Sequence, residues 1–508
     1  MGASLPIPRE LVDFLRLTGP QSMLLRGPPG SGKTSLSLAL LQSFPGKRYY
    51  VTNRVPNDDV MLAFPWLGQN GHNGIQVIDN TQYDQSIAQS ARALLQGTLD
   101  KLTDSSSAES RELAEFLWLP EPLQEAWSRL DPKQPTLIVI DSWDALVDSY
   151  LGGPDGAGHP ELPNRAEIER SLLRRMGRAT THLLFVLERE EQTQLDYLVN
   201  GVGVTRREIV QGRLERWLTL YKLRGVRIEN PLYPFSLESA HFECISPLPP
   251  YADLRGGKFN PAPDQIPGLL WPGSTAFAES FGRLPLGKST LMEVEKDVPN
   301  AIPYLLLAPM LAHTIERGGR VIFIPDSSTL PEDVWDSLHG SADRTRFLQQ
   351  VRFLLPPAGP NEAPTEFDPT IVRLGAAAPT GALPPGDEIG MDQFLRSGST
   401  ETSPGLFVVF LQGLVAIATS MGVAITAEVA QRLPGQIQAA VRGSPIHAIA
   451  VGAPESPLLD PLRATSALRL HLHQGQGRVF LYATDPWTPA FVLTEGHDRA
   501  PYGLLRVV

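Results

Sequence analysis

Eight residues, Gly27-Pro28-Pro29-Gly30-Ser31-Gly32-Lys33-Thr34, fill every defined position of the phosphate-binding pattern G-x-x-x-x-G-K-[ST]. Glycines at 27, 30 and 32 let the backbone bend until several N–H groups aim at one phosphate chain, backed by the positive end of a following helix. Lys33 would reach the β and γ phosphates of ATP and the Thr34 hydroxyl would ligate Mg2+, so the expected binding run is Gly27 to Ser35. A strand-like Met23-Leu24-Leu25 leads in and a helix-like Ser35 to Leu41 leads out, the order the mechanism needs. A Gly/Pro-rich turn before an ordinary helix is the bland alternative. The chemistry also calls for a carboxylate across the site. Leu137-Ile138-Val139-Ile140-Asp141 supplies it, with Asp141 holding Mg2+ or a water on it, although an aspartate there also serves as a helix cap.

A second literal match, Gly282-Arg283-Leu284-Pro285-Leu286-Gly287-Lys288-Ser289, stands in the wrong context. A strand-like Thr290 to Val294 follows where a helix should start, and Leu284-Pro285-Leu286 puts bulk where backbone must approach phosphate.

The elements that would carry the first motif alternate between strand and helix. Runs at Met23 to Leu25, Tyr49 to Thr52, Gln76 to Ile78, Leu137 to Ile140 and Leu183 to Leu187 predict an α/β domain with a mostly parallel sheet over residues 1–245. Lys101 to Glu112 reads as an exposed insertion and Gly152 to Pro163 as a loop. A Pro/Gly-rich linker spans 246–268. Residues 269–508 repeat the plan, with strands at Thr290 to Val294, Arg320 to Ile324, Leu406 to Leu411 and Ile446 to Val451 and a helix at Tyr304 to Glu316. Arg478 to Leu493 echoes Arg216 to Leu237, which suggests two copies of one fold.

Composition narrows the function classes. The chain has 508 residues, enough for two or three cores, and 42% of them are apolar. Its net charge of -11, from 44 basic and 55 acidic residues, argues against nonspecific coating of nucleic acid or anionic membrane. Cys244 is the only cysteine, so no internal disulfide or cysteine metal cluster forms, and a cytoplasmic setting fits. Met1 to Leu11 has no signal pattern. Leu406 to Ala427 is uncharged over a bilayer's width, but Gln412, Gly413, Thr419, Ser420 and Gly422 interrupt it, and a strand followed by a buried helix explains the same residues.

With these residues in view, the first half resembles RecA-fold ATPases of the KaiC type, and most closely the gas-vesicle regulators of the GvpD type. The resemblance rests on the loop at 27 to 34, on Leu137 to Asp141 followed by Ser142, on Leu195-Asp-Tyr-Leu-Val-Asn-Gly201, and on Tyr221-Lys222-Leu223-Arg224-Gly225. It implies a ring or other homo-oligomer in which Lys222 and Arg224 reach the γ-phosphate held by a neighbouring subunit; a solvated basic strand edge is the alternative. It also implies that Gly282 to Gly287 is the turn leading to a lost phosphate loop at Glu295 to Ile302. The counterparts of Asp141 (near Leu411-Gln412) and of Lys222 and Arg224 (Ala483-Thr484-Asp485) lack the needed groups, so the second half would be a degenerate RecA-like domain without a nucleotide site. In the first half, Asn53-Arg54 stands where KaiC-like ATPases place a glutamate pair. Neither residue is a general base, although Asn53 could position a water and Asp58, Asp59 or Glu188 could substitute. The expectation is tight ATP binding with slow turnover.

The leading functional expectation is an ATP-dependent switch acting on a protein partner, by resemblance a transcription regulator. Arg170, Arg174 and Arg178, with Arg175 nearby, share one helix face that could dock that partner or simply be solvated. The alternative is a recombination or repair paralogue binding single-stranded DNA, against which stand the overall acidity and the lack of a basic-aromatic stacking cluster. A metabolic kinase is disfavoured by the absence of a recognisable acceptor lid.

Overall fold

The computed structural model describes residues 7–67, 74–79, 121–130, 134–151, 164–176, 180–245, 266–338, 341–356, 365–373, 399–400, 403–420, 422, 437, 441–496 and 502–507. The insertion at 101–112, the loop at 152–163, Arg178, and the linker apart from Ile266 to Gly268 lie outside these residues. The chain forms two compact units, Met1–Ser246 with Val507–Val508, and Pro247–Arg506.

The first unit is built on β1 (Ser22–Arg26), β2 (Lys47–Thr52), β3 (Ile75–Asp79), β4 (Thr136–Asp141), β5 (Thr181–Leu187), β6 (Gly201–Val210), β7 (Arg213–Leu223), β8 (Leu232–Ser236) and β9 (Glu243–Cys244). They make one sheet in the order β3-β2-β4-β5-β1-β6-β7-β8-β9. Pairing is parallel from β3 to β6 and antiparallel beyond it. Each of the five apolar runs falls inside one of the parallel strands. β1, β4 and β5 are almost entirely buried because both faces are covered, whereas edge strand β3 exposes Gln76 and Asp79. Met23 and Leu25 pack with Leu36, Leu38 and Leu40 of the Lys33–Ser43 helix, whereas Leu24 faces the opposite core with Trp143, Leu146, Ile168 and Leu172. The antiparallel edge is the departure from a mostly parallel expectation. β6 reads Gly-Val-Gly-Val-Thr-Arg-Arg-Glu-Ile-Val and turns exposed after Thr205, so it offers no apolar run to find.

In the second unit β10 (Leu269–Leu270) and β11 (Leu284–Pro285) form a small antiparallel pair. The main strands are β12 (Ser289–Val294), β13 (Val321–Ile324), β14 (Val351–Leu355), β15 (Ile371–Arg373), β16 (Gly405–Phe410), β17 (Ile446–Gly452), β18 (Leu468–Gly475), β19 (Arg478–Asp485), β20 (Phe491–Glu495) and β21 (Tyr502–Arg506). Their order is β15-β14-β13-β16-β17-β12-β18-β19-β20-β21, the order of the first sheet with β12 in the place of β1 and one added edge strand. The uncharged segment from Leu406 divides into β16 and a helix, Leu411–Ser420, and no described helix is long and apolar enough to cross a membrane.

The correspondence extends to single residues. Met23 pairs with Gly201 and Thr290 with Leu468, and each following hairpin has a register shift at the same place, between Val202 and Gly203 and between Arg469 and Leu470. Each hairpin turns on Gln-Gly with positive φ at both positions, 48° and 74° at Gln211-Gly212, 51° and 74° at Gln476-Gly477. The arginine after each turn donates from Nη1 to the glutamine carbonyl, at 2.9 Å from Arg213 and 2.8 Å from Arg478. The internal echo is therefore shifted: Arg213, not Arg216, matches Arg478.

Candidate nucleotide-binding site

β1 ends at Arg26 and the helix begins at Lys33, so the Gly27-to-Gly32 loop rises from the carboxyl end of a parallel strand, where open α/β sheets bind ligands. Two glycines are obligatory. A Cβ on Gly27 would lie 2.2 Å from the Thr205 carbonyl oxygen, and Gly32 caps the helix at φ 93°. Thr205 also holds the loop from the side, its Oγ1 lying 2.7 Å from Ser31 Oγ. Lys33 is buried and donates from Nζ to the carbonyls of Gly27 and Pro28, at 2.8 Å each. Burial lowers its pKa to about 8, with Asp141 opposing the shift and Arg54 adding to it. Ser35 is buried in the first turn of the same helix.

Asp141 ends β4, separated from β1 by β5. Thr34 Oγ1 donates to Asp141 Oδ2 at 2.7 Å, and the Tyr50 hydroxyl donates to the same oxygen at 2.8 Å. Burial, then the Asp141 charge, raises the Tyr50 pKa well above its ordinary value, so Tyr50 remains a donor. Lys33 and Thr34 are thus brought together with Asp141, more than a hundred residues away in sequence. Tyr50 carries no functional signal in the sequence because it sits inside a run of strand character.

The other expected residues are placed as follows. Asn53 Oδ1 accepts from the Ser142 backbone N–H at 3.1 Å, so it braces the segment after Asp141. Glu188, just past β5, is ion-paired with Arg54. Asp58 and Asp59 lie exposed in the first turn of the Asn57–Ala63 helix. Lys222 donates from Nζ to the Asp196 carbonyl at 3.0 Å, and with exposed Arg224 it lines a cavity of about 270 Å3 that includes Arg26, Asp196 and Val202. Val202 belongs to the core on the face away from the Lys33–Ser43 helix, so these two cations are not brought to their own chain's loop. Arg170 and Arg174 are exposed on the Arg165–Met176 helix, and Arg175 is half-buried there.

The matching place in the second unit is chemically different. Lys288 and Ser289 of the second literal match run straight into β12 with no helix after them. The loop between β12 and the Ala301–Glu316 helix, residues 295–300, contains no glycine. Asp141 pairs with Val186 as Phe410 pairs with Val451, so Phe410 occupies the Asp141 register, and its ring stacks on Tyr304 at 4.7 Å between centroids. Asp485 stands in the Lys222 register and pairs with Arg469 at 3.0 Å. Beside this place His471 contacts Glu293 at 3.4 Å and Glu295 at 2.8 Å. Burial disfavours the imidazolium, but both carboxylates outweigh it and the pKa is raised. That contribution is fully present below pH 6.5, the ordinary value, and is lost as pH rises through the raised one. The thermal stability of the second unit is therefore expected to decline as pH rises above 6.5, and His471→Gln to flatten that decline; an unaltered pH profile would count against the cluster's role.

Residues 11–221 match the family described as GvpD gas vesicle protein, P-loop domain. Protein GvpD2 of Halobacterium salinarum (strain ATCC 700922 / JCM 11081 / NRC-1) is 32% identical over 246 residues, covering 47% of this chain and 44% of that protein. Protein GvpD1 of the same organism is 28% identical over 244 residues, covering 47% of this chain and 41% of that protein. The matched stretch thus spans less than half the length of either curated relative.

Proposed function

Because residues 11–221 make the first half of the chain a GvpD-type P-loop domain, consistent with a RecA/KaiC-like fold, we propose that it is a nucleotide-dependent regulatory protein of the gas-vesicle type. In this reading the first unit holds ATP with Mg2+ and hydrolyses it slowly. The second unit is a degenerate RecA-like domain without a nucleotide site, and the nucleotide state sets how the protein engages a protein partner, a transcription regulator. The observation that carries the reading is the convergence of Lys33, Thr34 and Asp141 beside a glycine loop. Loop N–H groups would bind phosphate oxygens, and Lys33 would exchange the Gly27 and Pro28 carbonyls for the β and γ phosphates. Thr34 and Asp141 would hold Mg2+, with Tyr50 fixing the carboxylate. Bound Mg2+ would neutralise phosphate charge. Lys222 and Arg224, on the sheet face away from the Lys33–Ser43 helix, would serve a neighbouring copy in a homo-oligomer.

Light scattering after size exclusion, with and without ATP and Mg2+, tests this. Assembly that needs nucleotide, and that Lys222→Ala with Arg224→Ala abolishes, is the expected result. A monomer indifferent to ATP removes the oligomer and both trans roles.

The lowered Lys33 pKa adds a pH signature. Above pH 8 free Lys33 loses its proton, and phosphate charge draws one back, so binding takes up a proton. ATP affinity should fall by up to about tenfold per pH unit above that value. Without ligand the sign is opposite: the unfolded chain keeps this proton up to pH 10.5, so the group's effect on stability becomes more favourable as pH rises from 8. Calorimetry at pH 9 in two buffers of different ionisation enthalpy reads the uptake, and equal heats would contradict it.

A further inference from the structure

β6 outruns β1. Val204 is the last residue paired with β1, opposite Arg26, and the strand continues to Val210 alongside the phosphate loop. Side chains alternate along a strand, so Arg207 shares the face of Thr205, which already touches the loop. Its Nη1 lies only 3.1 Å from where a Cβ on Gly30 would stand. Directly across the hairpin from Arg207 is Arg216. Like charges facing each other across antiparallel strands are destabilising. The next cross-strand residues, Glu208 and Glu215, point to the other face. Arg216 Nε and Nη1 are buried without a hydrogen-bond partner, and burial followed by the Arg207 charge lowers the Arg216 pKa. Two guanidinium groups held together, one with buried unmet donors, beside a loop of phosphate-binding type form a site that an anion would complete.

The second unit provides a comparison within the same chain. Val204 corresponds to His471, since each pairs with the residue of its central strand at the same register, Arg26 and Glu293. Three residues on, the counterpart of Arg207 is Gln474, and it pairs with Val479. Where the glycine loop is missing, the arginine pair is missing too.

We propose that Arg207 and Arg216 form a clamp, supplied by the same chain, for a phosphate group of the nucleotide held on the loop at 27–34. The clamp rests on the nucleotide-binding reading above. Its test uses Arg207→Met and Arg216→Met in the full chain, with Lys33→Ala as control, titrated with ATP and with inorganic tripolyphosphate in low salt. Each methionine variant should bind both probes on the order of tenfold more weakly. Ligand-free Arg216→Met should also melt at a higher temperature than wild type, because repulsion and two buried unmet donors are removed. If Arg216→Met fails to fold, Arg207→Met, at an exposed position, carries the test alone. Unchanged binding in the methionine variants, with loss in Lys33→Ala, overturns the clamp and leaves the nucleotide site standing. Weaker ATP binding with unchanged tripolyphosphate binding assigns the arginines to base or ribose and overturns the phosphate role. A wild type that binds neither probe overturns the clamp and the nucleotide reading together.

Discussion

Lys33→Ala should reduce ATP affinity by about a hundredfold or more while leaving the fold intact. Lys33 is a buried ammonium that donates to the carbonyls of Gly27 and Pro28, contacts that phosphate oxygens can replace with stronger, charge-assisted ones. Two such contacts at about 1.5 kcal/mol each amount to roughly two powers of ten in affinity. Alanine is the best helix former, so the first turn of the Lys33–Ser43 helix survives the change. Removing a cation that burial already penalises should leave the ligand-free melting temperature unchanged or raised. Calorimetric titration beside a thermal melt separates these effects. Retained ATP binding by a folded variant would refute the assignment of the loop as the nucleotide site.

The second large effect concerns turnover. Asn53 follows β2, whose last residue Thr52 pairs with Asp141, but its amide cannot take a proton, and its Oδ1 is already engaged by the Ser142 N–H. The nearby carboxylate of Glu188 is occupied by Arg54, so it is not free to serve as the missing base. Steady-state hydrolysis by the wild type should therefore stay below about one per second, near the low end of enzyme turnover. Asn53→Glu retains an acceptor for the Ser142 N–H and adds a carboxylate. A positioned general base contributes about a hundredfold or more. Because the new side chain is one methylene longer than ideal for its bracing contact, a rise of roughly tenfold to a hundredfold in phosphate release is expected. No rise in a variant that binds ATP normally would show that something other than the missing base limits hydrolysis.

Much of this site was legible from residue types. The glycine loop and the aspartate after Leu137 to Ile140 carry their own local signals, and the parallel strands announce themselves as apolar runs because both faces are buried. Tyr50, Thr205, Arg207 and Arg216 were not legible as members of the site. They reach it through sheet order and strand register, which pair residues far apart in the chain and leave no local pattern. The same register moves the internal echo: both Arg213 and Arg216 are arginines in β7, but only Arg213 follows a Gln-Gly turn as Arg478 does. The face on which Lys222 and Arg224 lie also had no signal in sequence, since a bulge at Val202 and Gly203 shifts the alternation just before them.

The stack of Phe410 on Tyr304 gives the second unit an unusual experimental use. Stabilisation by a ligand scales with the logarithm of its concentration only where the ligand binds the folded state. With Phe410 in the Asp141 register and no glycine in residues 295–300, this half lacks the metal-facing carboxylate and the glycine loop of the first unit, so its stability should not respond to ATP or Mg2+. Hydrogen exchange across an ATP titration would then carry its own internal standard: amides of β12 to β18 holding a fixed rate while those of β1 to β6 slow, both read from a single polypeptide.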